Sequence, residues 1–182
     1  MKFKLSSYFS KLLIWRSLQT VIKQGIPFLI FILVARLLDS ESFGIYNYLL
    51  AIILLFVMFS DFGISTSTCK ITSEFIAKKK RNIKNILSNS LIFSFIISTF
   101  LTILLLTYYY FLEEGDSLGL LYLIPLISLA PISSIYDGFF RGQKKFKQLF
   151  FISSFSGIAS IPLIYTLIFK LGLNGALISQ SI

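Results

Sequence analysis

Apolar segments of near-constant length dominate this chain of 182 residues. They run over residues 18–38, 46–66, 89–110, 118–137 and 149–169. A helix needs about 20 mainly apolar residues to cross the hydrocarbon core of a bilayer, and each segment supplies about that many. Charged residues make up only 14% of the chain, against about 25% in a soluble domain, too few to cover a water-facing surface. The expected fold is therefore all-α: a polytopic membrane helix bundle with five complete transmembrane helices. A further apolar run, residues 173–182, reads as the start of a sixth helix too short to cross, so the chain is expected to be a fragment or a truncated product. Residues 18–182 form the expected transmembrane lobe.

The links between the segments alternate in charge. The N-terminal stretch carries Lys2, Lys4, Lys11 and Arg16, and the first link carries Asp39 and Glu41. The second carries Lys70, Lys78, Lys79, Lys80, Arg81 and Lys84 against Glu74. The third carries Glu113, Glu114 and Asp116, and the fourth Arg141, Lys144, Lys145 and Lys147. Basic links favour the cytoplasmic side, which predicts a cytoplasmic N-terminus. The net charge of +9 then sets topology rather than binding nucleic acid, and no nucleic-acid partner is expected. A cleaved signal peptide competes for the first segment. Its length, Lys23, Arg36 and the lack of an A-x-A-like site favour an uncleaved span. Residues 1–17 place Phe3, Leu5, Phe9, Leu12 and Trp15 between lysines at near-helical spacing. They read as an interfacial amphipathic helix, with a disordered basic tail as the alternative.

With no histidine and one cysteine, Cys69, the chain cannot form an intrachain disulfide, a histidine triad or a Cys/His zinc site. No catalytic residue, metal or cofactor is expected. All four prolines, Pro27, Pro125, Pro131 and Pro162, fall inside predicted spans, where each frees a carbonyl that needs another partner. Ser90, Ser94, Ser98 and Thr102 recur every four residues on the third span, and Ser153, Ser156, Gly157 and Ser160 cluster on the fifth. Such small residues mark helix contacts.

Charges within spans cost a few kcal/mol each unless paired or hydrated. Lys23 and Arg36 lie in the first span and Asp61 in the second. At about 1.5 Å per residue, Lys23 and Asp61 fall at similar depth near the inner ends of consecutive helices. They are expected to face a shared polar interior and to pair, unless Lys23 snorkels to the interface. Arg36 is placed near the outer end, within reach of Asp39 or Glu41 or in the mouth of a cavity. Asp137 and Arg141, four residues apart, are expected to pair with each other.

These positions coincide with motifs of a known family. The stretch Ala35-Arg36-Leu37-Leu38, an acidic link, Phe43-Gly44-Ile45-Tyr46 and Asp61-Phe62-Gly63 resembles the opening of bacterial polysaccharide and O-antigen flippases (Wzx-like). These belong to the multidrug/oligosaccharidyl-lipid/polysaccharide exporter superfamily. Phe139-Phe140-Arg141-Gly142-Gln143-Lys144-Lys145-Phe146 resembles the family's R-G-x-x-[KR]-[FY] inner loop. Leu171-Gly172-Leu173-Asn174-Gly175-Ala176 resembles its link into the sixth span. The resemblance implies the N-terminal lobe of a two-lobe, non-enzymatic transporter of the bacterial inner membrane. Such a transporter flips undecaprenyl-pyrophosphate-linked oligosaccharide repeat units, of O-antigen, capsule or lipopolysaccharide type, by alternating access. The implied partners are that lipid-linked oligosaccharide, membrane lipids and polysaccharide polymerase machinery. Arg36, Asp61 and Arg141 fall on motif positions, while Lys23 and Asp137 enter as transport-path candidates from burial and charge.

Three other functions compete. A drug or metabolite exporter of the same superfamily would more readily carry a coupling carboxylate on the first span, and this one has only Lys23 and Arg36. A membrane glycosyltransferase needs exposed catalytic carboxylates, for which Glu113, Glu114 and Asp116 are the candidates. A non-transporting assembly subunit would assign no function to the intramembrane charges.

Overall fold

A computed structural model describes residues 2–79, 82–112 and 118–180 of the chain. Among these residues the chain is all-helical, with the helices α1 (Lys2–Leu37), α2 (Ser40–Asp61), α3 (Ile64–Ala77), α4 (Ile83–Leu112), α5 (Leu118–Gly142) and α6 (Phe146–Gln180). Five stretches are long and apolar enough to cross a membrane, with α2 and α3 counted as one and α1 counted from Ser10. The acidic residues 113–117, and Lys80 and Arg81 of the second link, lie outside the described residues.

Large apolar side chains cover the outside as well as filling the core, and several polar ones are buried. Met58 and Phe155 are 79% and 80% exposed, whereas Gln19, Ser60, Thr68, Thr72 and Ser98 are buried. Exposed apolar surface on this scale is suited to lipid rather than water. The apolar core gathers Val34, Tyr46, Leu49, Leu105, Leu123, Ile164 and Leu177 from α1, α2, α4, α5 and α6.

Helix boundaries differ from the hydropathy segments for local reasons. The helix α1 continues without a break from the N-terminal stretch into the first span, so residue 17 is not a helix boundary. The second segment, 46–66, contains a break. The helix α2 begins earlier, where the Asp39 side chain accepts from the Ser42 amide as an N-cap. It ends at Asp61, where Phe62 and Gly63 both take left-handed backbone (φ 37° and 76°). Glycine tolerates that conformation, and it commonly ends a helix one residue past its last turn. At the end of α6, Gly172 leaves the helical region with φ 54° and ψ −129°. The chain doubles back there, and Gly175 lies against the Leu167 carbonyl with no room for a side chain. The returning segment 173–180 inserts Ala176 and Leu177 into the core beside Leu49 and Gly119.

Close approach of α5 to α3 depends on two glycines spaced four residues apart. A methyl on Gly138 would collide with the Ser65 carbonyl, and one on Gly142 would lie 2.7 Å from the Cys69 carbonyl. This small-xxx-small seam brings the last turns of α5 against α3. The Trp15 turn of α1 and the early turns of α6 lie at the same end, joined by Trp15 edge-on to Phe150 at 5.3 Å between ring centroids.

Candidate functional site: a cationic cleft on Asp137

The centre of the site is Asp137, near the end of α5. Its Oδ2 lies 3.2 Å from Lys23 Nζ and 3.0 Å from Arg141 Nε. Its Oδ1 accepts from Gln19 Nε2 at 2.9 Å, and Gln19 Oε1 accepts from Arg16 at 3.1 Å. One carboxylate is thus surrounded by three cations, two in direct contact and one through an amide. The Asp137 side chain is 12% exposed and that of Lys23 54%. These groups, with Thr20 and Ser134, line a cleft of about 340 Å³.

The helix α1 delivers Arg16, Gln19, Thr20 and Lys23 at three- and four-residue spacing, so all four share one face. That face is turned towards α5, while α1 packs along α6. The Lys23–Asp61 pair expected from the sequence does not form. Consecutive helices α1 and α2 are not the ones that meet at this depth, so Lys23 reaches Asp137 instead. The expected Asp137–Arg141 pair does form, and Arg141 Nε also donates to the Asp137 carbonyl at 3.4 Å.

Asp61 lies at the α2–α3 break, where it accepts from Ser65 Oγ at 3.0 Å and from Ser134 Oγ at 3.3 Å. The break places this carboxylate at the start of α3, the helix end that favours negative charge. Ser134 also lines the cleft, so Asp61 is one side chain removed from the Asp137 cluster. Arg36 lies apart. It makes no ion pair with Asp39 or Glu41 among the described residues, and it lines a separate groove with Leu29 and Tyr165.

The two serine clusters serve different ends. On α4, Ser98 is buried against Ser60, and Ser90 Oγ lies 2.7 Å from Thr68 Oγ1, so this row is a packing seam. On α6, Ser153, Ser156 and Ser160 line a second cavity, of about 390 Å³, together with Pro27, Gln180 and Lys23. Lys23 therefore borders both spaces, one rich in cations and the other a largely apolar cavity with a row of serine hydroxyls along α6. Sequence reading missed Arg16 as part of the site, and it missed Gln19 entirely. An uncharged residue gives no charge signal, although its position three after Arg16 and four before Lys23 puts it on their face.

The family model described as polysaccharide biosynthesis protein matches residues 10–182. No curated protein and no solved structure matches the chain.

Proposed function

Because the chain belongs to the polysaccharide biosynthesis protein family, a multi-pass membrane family to which its membrane-length helices are suited, we propose that it takes part in moving a lipid-linked, diphosphate-bearing oligosaccharide across the cytoplasmic membrane. In this reading the end of the bundle holding Arg16, Lys23 and Arg141 faces the cytoplasm, as basic flanks favour. The protein performs no covalent chemistry. Its partners are the lipid-linked saccharide, the surrounding lipids and the polymerase machinery that consumes the flipped unit.

The observation that carries the reading is the position of Lys23 between a cleft with excess positive charge and a largely apolar cavity that presents Ser153, Ser156 and Ser160 along one wall. Guanidinium and ammonium groups bind phosphate oxygens by charge-assisted hydrogen bonds, and hydroxyls match the hydrogen-bonding groups of a sugar. The first cleft suits a diphosphate and the second the adjoining saccharide. Arg36, at the other end of α1, offers a second cationic station on the far side.

The test is replacement of Lys23, Arg16 or Arg141 by Ala in the producing cell, with surface polysaccharide and membrane abundance of the protein both measured. Loss of surface polysaccharide at unchanged abundance is expected, with accumulation of the lipid-linked unit inside. Normal polysaccharide in all three variants would remove the cleft from the transport path.

A further inference from the structure

The cationic cleft already contains an anion, the carboxylate of Asp137. Resting on the functional reading above, we propose that Asp137 is an internal counter-anion. An incoming diphosphate must displace it from Lys23 and Arg141, and it sets a threshold that monoanionic headgroups do not pass.

Three positive groups in an open cleft would attract any anionic headgroup of the adjacent leaflet. Asp137 competes with such ligands from within the protein. It is held on α5 one helical turn from Arg141, and a tethered group competes at an effective concentration in the millimolar range or above, about that of short linkers. A headgroup with one negative charge replaces one carboxylate charge with its own and gains little. A diphosphate brings more charge and several acceptor oxygens, enough to engage both guanidinium groups and the ammonium together. The carboxylate is thus a specificity-determining group that favours multiply charged ligands.

Displacement also has a mechanical consequence. The helix α1 lies along α6, and Lys23 and Gln19 link it to α5 through Asp137. A ligand that takes over the cations removes the Lys23 tie and leaves only the Gln19 amide on Asp137. Ligand entry therefore loosens α1 against α5.

The experiment uses the full chain in nanodiscs and measures binding of inorganic pyrophosphate and of dimethyl phosphate, a monoanion. Asp137→Asn keeps an acceptor for Gln19 and removes the charge. It is expected to tighten pyrophosphate binding about two- to fivefold, the scale of a partly exposed ion pair, and to make dimethyl phosphate binding measurable. Unchanged or weaker binding would overturn the proposal. A second measurement leaves Asp137 in place. Spin labels at Val21→Cys and Ser133→Cys, in a Cys69→Ala background, report the α1–α5 distance. Pyrophosphate should lengthen it, and a distance that ligand does not alter would also overturn the proposal, whether or not Asp137→Asn folds. If pyrophosphate binds neither protein, the anion-binding reading of the cleft fails and this inference fails with it. If it binds both equally, only this inference fails. A polyprenyl diphosphate placed in the nanodisc separates the sources: tighter binding than free pyrophosphate assigns the site to a lipid headgroup, and equal binding to the diphosphate alone, with displacement upheld in either case.

Discussion

Ser60 Oγ and Ser98 Oγ lie 2.7 Å apart on α2 and α4, and both reach the Ile127 carbonyl of α5, at 2.9 Å and 3.2 Å. Pro131 stands four residues after Ile127, so this is the carbonyl that the proline deprives of its helical N–H donor. The proline, the carbonyl it frees and the two hydroxyls that serve that carbonyl form one unit joining three helices. Either serine alone can serve the carbonyl, so each single Ala substitution should cost no more than about 1 kcal/mol. Replacing both leaves a buried acceptor unpaired and should cost about 1–3 kcal/mol. Adding Pro131→Ala, which restores the N–H, should recover part of that loss. Thermal unfolding of the four variants in detergent checks the pattern, and additive single effects with no recovery would contradict it.

The glycines of the α3–α5 contact predict a positional contrast. Gly138→Ala should destabilise by about 1–3 kcal/mol, because the added methyl meets the backbone of Ser65 rather than a movable side chain. Gly25→Ala is the control. A methyl there meets nothing within 4 Å, and alanine favours a helix interior by up to about 1 kcal/mol. Gly25→Ala should therefore unfold at or above the wild-type temperature and Gly138→Ala below it.

Gln19 is 1% exposed and joins Arg16 to Asp137. Gln19→Leu leaves polar groups of both neighbours unpaired, at a cost of about 1–3 kcal/mol. Trp15, edge-on to Phe150, provides a fluorescence signal from the α1–α6 contact. The variant's unfolding midpoint read from that signal should fall, and an unchanged midpoint would show that Gln19 holds nothing in place.

Asp39 caps α2 between two membrane-length stretches, and the Ser42 amide holds its carboxyl below the ordinary carboxylate value. A depressed folded-state value means that the capping contribution is present above the unfolded value, about 4. It is lost as pH falls through the lower folded value. Hydrogen exchange at the Ser42 and Phe43 amides should therefore accelerate on acidification beyond the intrinsic pH dependence. Asp39→Asn, which caps without ionising, should remove that excess. Equal pH dependence in both proteins would disprove the assignment.

The spans were legible in the sequence because lipid imposes one strong requirement, a run of apolar residues of fixed length, and hydropathy reports it directly. The α2–α3 break was harder to read. Phe62 is apolar and continues the hydropathy run, and only Gly63 after Asp61 carries a stop signal. The Lys23 partner was misassigned because depth along a helix can be counted from sequence, whereas the neighbour across the bundle cannot. Residues 23 and 137 are brought together by how α1 lies on α6. The serine rows on the third and fifth spans looked alike as sequence. Their neighbours separate them, since Ser98 meets Ser60 and Ile127 while Ser156 faces open space near Lys23.

The doubling-back at Gly172 has a consequence for biogenesis. Ala176 and Leu177 occupy the same core as Val34, Tyr46 and Leu120, yet they are translated well over a hundred residues after Val34. Chains grow from the N-terminus at about 5–20 residues per second, so α1 and α2 enter the membrane several seconds before the residues that complete their packing. During that interval the surface around Tyr46 and Leu49 is covered by lipid or by an insertion factor rather than by protein. Tertiary closure around Tyr46 therefore waits for synthesis of the segment that follows Gly172.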